Sequence, residues 1–193
     1  MSWIKTVNRP DKDDPLCEAY AKIRESRGKV SNIMKAQSLF PEALDHHLEL
    51  YQCLMYGEST LEPAEREMVA LVVSASNNCA YSVSHVADAL ASYEKDNTRM
   101  QQIVTGRQFL ELSDRQATML RYATKLTQQP DKMGQDDVQG LRDAGLDDRE
   151  ILEVNMLAAY FNFSNRIACG LGVEFSEDEI TGYKQNPKRK KKR

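Results

Sequence analysis

Cys79, Ser82 and His85 stand three residues apart in Cys79-Ala80-Tyr81-Ser82-Val83-Ser84-His85, and Glu67 lies twelve residues before the cysteine. A thiol, a hydroxyl, an imidazole and a carboxylate are the parts of a thiol reaction with proton relay. The stretch has the form of a Cys-x-x-Cys redox site whose second cysteine is a serine. A dithiol can close an internal disulfide. A single thiol must instead cycle through a sulfenic acid that another thiol reduces.

Such chemistry needs a helix to begin at the cysteine. A thiol in the first turn of a helix meets free backbone N–H groups and the positive end of the dipole, which favour its thiolate. Ser82 then lies one turn on, on the same face, and His85 one further turn on and partly rotated away. Asn77-Asn78 break the preceding helix and cap the one that follows, which is predicted to run from Cys79 to about Lys95. Pro63 opens the preceding helix, and Glu65 and Glu67 suit its positive end. A capping role is therefore open to Glu67 beside a catalytic one. Met68 to Val73 are residues of a buried type.

The remaining elements are also helical in pattern. Asp14-Pro15 begins a helix with an apolar face of Leu16, Ala19, Tyr20 and Ile23, ended by Gly28. Ser31 caps a short helix to Leu39. Pro41 opens another, with Leu44, Leu48, Tyr51 and Met55 on one face, ended by Gly57. A short helix is predicted near Arg99–Val104, one after Ser113, one over Asp136–Ala144, and a long apolar one from Ile151 to about Cys169. Gly170 and Gly172 stop it, and Ser176 starts a last polar segment. No alternating strand pattern is present. The expected fold is all-α, with about eight to ten helices.

The chain has 193 residues, 41% hydrophobic and 28% charged, which is enough for a substantial core without disulfides. Residues 1–180 are expected to form a single helical domain, and 181–193 a polar to basic tail. The tail Lys188-Arg189-Lys190-Lys191-Lys192-Arg193 holds six of the 26 basic residues, against 29 acidic ones in the whole chain. The body is therefore acidic, and nucleic-acid binding is expected only through the tail. That tail also suits a nuclear address or an anionic lipid surface. The start, Met1-Ser2-Trp3-Ile4-Lys5, lacks a basic segment followed by an apolar run, and no stretch has the length of a membrane span. A cytoplasmic protein with reduced cysteines and no membrane partner is expected.

Glu67, eleven residues, Cys79, two residues and Ser82 resemble the Glu–Cys-x-x-Cys pattern of the alkylhydroperoxidase D (AhpD) and carboxymuconolactone decarboxylase superfamily. The likeness is nearest to its peroxidase-related branch. Leu61-Glu62-Pro63-Ala64-Glu65-Arg66-Glu67 resembles that branch's approach to the site. Gly140-Leu141-Arg142-Asp143-Ala144-Gly145, then Ala159-Tyr160-Phe161-Asn162-Phe163-Ser164-Asn165-Arg166, then Leu171-Gly172-Val173, resemble its second half. The likeness spans roughly residues 3 to 175.

The resemblance implies a helical bundle that assembles into homo-oligomers. It also implies an oxidoreductase acting on a hydroperoxide or another small molecule and recycled by a thiol reductant, with no cofactor. Carried over by position, Glu67 matches the relay carboxylate and Cys79 the first cysteine. Ser82 replaces the cysteine that attacks peroxide, and Val86 occupies the place of the family histidine, with His85 one residue early. The candidate catalytic residues are Cys79, Glu67, Ser82 and His85. The resemblance leaves open a decarboxylase-type enzyme that needs no thiol, and a non-catalytic scaffold.

Cys17, Cys53 and Cys169 are expected to be packing residues, with a displaced resolving thiol as the alternative. Adjacent His46-His47 lack the spacing of a helical metal pair, and no metal is expected. Tyr160 to Phe163 is expected in a core or a subunit interface. Asn162, Asn165 and Arg166 are unusual for pure core and are expected to tie helices together.

Overall fold

The computed structural model describes residues 2–105 and 112–184, and Lys188–Arg193 therefore lie outside the described residues. Gly57–Arg166 forms one compact unit, and the chain before and after it forms a second. Ten α-helices and one 3₁₀ turn make up the described secondary structure, with no strand among the described residues. The all-α expectation holds. No described helix is long and apolar enough to cross a membrane.

In the second unit, α1 (Pro15–Arg27) packs against α3 (Pro41–Tyr56), with α2 (Asn32–Ala36) between them in sequence. The expected cap is present: the Asp14 side chain accepts from the Leu16 N–H and Pro15 sits at the first position. Leu16, Ala19, Tyr20 and Ile23 are all buried, as their spacing predicts. Tyr20 donates its hydroxyl to Val7 O at 2.7 Å, which ties the irregular N-terminal segment to α1. His47 is buried on α3 with Nδ1 2.8 Å from Gln37 Oε1, and burial holds its pKa down at about 4. Near the end of the chain, Trp3 N–H donates to Leu171 O. A Cβ at Gly172, whose φ is +57°, would overlap the Trp3 indole, so that position takes glycine.

In Gly57–Arg166, α4 (Pro63–Ser76) is the central helix. Every residue from Glu65 to Ser74 is buried, and it packs against α5 (Ala80–Leu90), α6 (Asn97–Thr105) and α7 (Asp114–Gln128). A helix buried on all sides needs apolar residues all round, which Met68-Val-Ala-Leu-Val-Val supplies. Its charged start is accommodated by hydrogen bonds. Arg66 donates to Leu61 O at 3.1 Å and to Gly57 O at 3.1 Å. Arg115 of α7 pairs with Glu65 at 3.2 Å and with Glu150 at 2.8 Å. Glu150 opens α9 (Asp148–Gly170), which follows α8 (Gln135–Asp143). The Arg115 guanidinium holds the Glu150 carboxyl down at about 2.

Several expected helix details differ: α2 ends at Ala36 rather than Leu39, and the long helix begins at Asp148 rather than Ile151. α5 ends at Leu90 rather than near Lys95, because Ser92 N–H and Tyr93 N–H turn back to Ala89 O and Leu90 O, three residues behind, and tighten the chain out of the helix. Glu67 is not a cap: the capping box of α4 is formed by Glu62 and Glu65, and Glu67 falls in the second turn.

Candidate active site

The turn into the site is set by two asparagines. Asn77 caps α4, and Asn78 has φ 52°, the only positive φ outside glycine among the described residues. Asparagine tolerates this left-handed conformation better than most residues. Asn78 N–H then bonds Ala75 O at 2.9 Å and Cys79 N–H bonds Ser74 O at 3.0 Å. These two bonds are a Schellman ending, so the residue that closes α4 is also the one that opens α5. Cys79 is that residue. It is the N-cap of α5, and its carbonyl accepts from Val83 N–H at 2.9 Å.

The Cys79 side chain is 1% exposed. Its thiol donates to Ser82 Oγ at 3.4 Å and approaches the backbone oxygen of Asn165 at 4.0 Å. Cys79 and Ser82 are thus brought together one turn apart, as their spacing predicts. Cys79, Ser82, Val86 and Leu90 form the buried stripe of α5. Val86 occupies the position that the sequence resemblance gives to the histidine. His85 stands beside that stripe, stacked on Tyr81 with ring centroids 4.2 Å apart. Its Nδ1 faces Tyr81 O at 2.8 Å, and because a carbonyl only accepts, Nδ1 carries the proton in the neutral ring. Glu67 is buried on α4.

Two residues that the sequence does not place at the site complete the cluster. Ser74 supplies the carbonyl that fixes Cys79, and its hydroxyl, which donates to Ala70 O at 2.8 Å, lies 3.4 Å from Asn165 Oδ1. Asn165 of α9 is 1% exposed. The expected tying of helices is carried by Asn162. It accepts from Asn77 Nδ2 at 3.0 Å and donates to Thr127 Oγ1 at 3.0 Å, and Arg166 donates to its Oδ1 at 2.8 Å. The polar character of the α9 sequence was the available signal, but its link to Cys79 depends on tertiary packing.

The other cysteines depart from expectation in part. Cys53 and Cys169 are exposed rather than packed, while Cys17 is half-buried with its thiol 3.1 Å from Asp11 O. None of the four cysteines is in a disulfide.

The carboxymuconolactone decarboxylase family model matches residues 41–125, which include the whole Glu67–His85 stretch. The chain is similar to a peroxidase-related protein from Silicibacter sp. TM1040, with 28% identity, 93% of this chain and 94% of that one covered, and a TM-score of 0.82. Over residues 41–125 the chain matches the carboxymuconolactone decarboxylase family, and its fold is that of the AhpD-like, peroxidase-related proteins. An alkylhydroperoxidase AhpD-core, peroxidase-related protein from Ralstonia eutropha JMP134 shares the fold at 24% identity, with 93% and 94% coverage and a TM-score of 0.80. The debrominase Bmp8 shares the fold at 14% identity, with 91% and 96% coverage and a TM-score of 0.75. No curated protein matches the chain at a significant level.

Proposed function

We propose that this AhpD-like protein is a peroxidase-related oxidoreductase that works through Cys79 as a single redox-active thiol. The observation that carries the proposal is the buried Cys79–Ser82 pair, 3.4 Å apart at the start of α5. The Cys79 thiolate attacks the terminal oxygen of a hydroperoxide. An S–O bond forms, the O–O bond breaks, and the leaving alkoxide takes a proton. A thiol reductant then attacks the sulfenic acid, releases water and leaves a mixed disulfide, which a second thiol resolves. Ser82 donates to the thiolate and cannot form a disulfide, so recycling must come from outside the site.

Burial limits the partners. With Cys79 1% exposed, the oxidant is small, such as hydrogen peroxide or a short alkyl hydroperoxide, and the reductant is a low-molecular-weight thiol. Glu67 and His85 suit the proton traffic by position. Glu67 and Ser74 lie on one face of α4, ~10 Å apart by helix rise, and His85 lies ~9 Å beyond Cys79 along α5. In a hairpin turning at Asn77-Asn78, that puts Glu67 level with His85, and Ser74 level with Cys79.

One observation favours a second reading, a non-catalytic scaffold: Cys79 is as inaccessible as a packing residue, and Val86 replaces the histidine on its stripe. Peroxide turnover with a small thiol as reductant separates the two. Turnover that Cys79→Ser abolishes supports the enzyme. A parent chain without turnover that gains it on Ser82→Cys supports a silent scaffold with the site's geometry intact.

A further inference from the structure

In the unit that holds α1 to α3, residues 174–184 are held against the end of α1 and the start of α2. Asn32 Nδ2 donates to Glu174 O at 2.9 Å, Lys29 Nζ to Asp178 O at 2.7 Å, and Lys184 N–H to Arg27 O at 3.0 Å. Residues of both runs line a cavity of about 490 Å³, a volume within the roughly 300–1,000 Å³ of small-molecule sites. Arg24, Lys29 and Lys35 line it, together with Ser176, Asp178 and Glu179. No carboxylate pairs with any of the three basic side chains among the described residues. The Arg24 guanidinium makes no hydrogen bond there and only faces the Tyr20 ring, 5.6 Å from its centroid. Lys35 uses one of its three donors, on Asn32 Oδ1 at 3.2 Å. The Ser176 hydroxyl makes no hydrogen bond among the described residues. Glu179, by contrast, is committed: its Oε1 accepts from Asn32 N–H at 2.9 Å and from the Tyr183 hydroxyl at 3.1 Å. Three cations thus stand against one uncommitted carboxylate, that of Asp178.

We propose that this cavity binds a small organic phosphate, a phosphate monoester on a polar body such as a sugar. Charge, donors and size each support that class. Two positive charges are left over, and a phosphate monoester carries about −2 at neutral pH. The Arg24 guanidinium is a planar fork that can bond two phosphate oxygens, and Lys29 and Lys35 act as point charges. Ser176 adds a neutral donor. The cavity is much larger than a bare phosphate, and Val30 is the only aliphatic side chain in its lining. The remainder of the ligand is therefore polar, and its hydroxyls can donate to Asp178. No residue of the Cys79 cluster takes part, so this inference does not rest on the peroxidase reading.

Isothermal titration of the full chain with glucose 6-phosphate tests this, with glucose, inorganic phosphate and succinate as comparators. Glucose 6-phosphate is expected to bind at one site per chain, inorganic phosphate and succinate more weakly, and glucose not at all. In Arg24→Gln and in Lys35→Gln the Kd for glucose 6-phosphate rises about tenfold or more, as the loss of a charge-assisted hydrogen bond requires. In Ser176→Ala, which removes a neutral donor and no charge, it rises about threefold. The melting temperature of the unliganded chain does not fall in any of the three. The basic tail Lys188–Arg193 is a competing place for an anion, and the variants separate the two. Unchanged affinity in Arg24→Gln and Lys35→Gln puts the phosphate on the tail and overturns the inference. Absence of binding to the unsubstituted chain overturns it as well. Succinate or inorganic phosphate binding as tightly as glucose 6-phosphate overturns the assignment to a phosphate monoester. Should either Gln variant fail to fold, Ser176→Ala decides: an unchanged Kd there overturns the site.

Discussion

Ser82 and His85 carry the largest departures from the superfamily pattern, and each has a local cause in α5. Ser82 keeps the place of a second sulfur, 3.4 Å from Cys79, and so keeps a hydrogen bond where a disulfide would form. His85 is one residue early, which turns it about 100° around the helix, off the buried stripe and onto Tyr81. Both facts were legible in the spacing alone. The nearness of Asn165 to Cys79 was not, because it is made by packing between residues 86 apart. The same holds for His47. Its neighbour His46 is exposed, and nothing in the adjacent pair says which ring is buried. With a folded pKa of about 4 against an ordinary value near 6.5, His47 stabilises the fold fully above pH ~6.5. That stability is lost as pH falls toward 4, where the unfolded chain takes up the proton first. The loss is on the order of 3 kcal/mol. Urea denaturation at pH 7 and pH 4.5 checks this: His47→Gln removes most of the difference in unfolding free energy between the two pH values, and an unchanged difference refutes the assignment.

The helices were readable because their ends are strongly marked. Asp14-Pro15, Pro63 and Ser113 each start a helix where their chemistry places one. Two of the details that resisted border the site: the end of α5, and the identity of the α4 cap. Both depend on which of several adequate residues the backbone uses, since Glu62, Glu65 and Glu67 all suit a positive helix end. The turn between α4 and α5 matters most for the site, since it gives Cys79 its two backbone duties at once. Asn78 at φ 52° makes that turn possible. Asn78→Ala is expected to cost about 1 kcal/mol, while Asn78→Gly leaves stability nearly unchanged or raises it. The Ala variant is also expected to alkylate faster at Cys79, because its loosened turn frees the Cys79 N–H from Ser74 O. Thermal unfolding and the alkylation rate measure the two effects. A fully stable Ala variant contradicts the role given to the turn.

For the whole molecule, the fold and the family likeness follow from a pattern spread along most of the chain, whereas the proposed activity rests on four side chains. That asymmetry explains why the all-α architecture was accessible from sequence while the chemistry was not. The long helix α9 adds one feature at this scale. Leu152, Met156 and Phe163 are 54%, 38% and 49% exposed and fall on one face of the helix. We propose that this stripe joins copies of the chain into the homo-oligomer that the superfamily resemblance implies. Phe163→Glu is expected to shift the mass seen by light scattering to that of a smaller species. A parent chain that is already monomeric at the same concentration contradicts the proposal.

The proposed function makes Cys79 a working redox thiol despite its burial. The chain carries its own comparison, since Cys53 and Cys169 are exposed thiols outside any disulfide. The most direct measurement is peptide-level mass spectrometry after brief treatment with dilute hydrogen peroxide in the presence of dimedone. The Cys79 peptide is expected to be labelled first, ahead of both exposed cysteines. Labelling of Cys53 and Cys169 with Cys79 left as the thiol would contradict it.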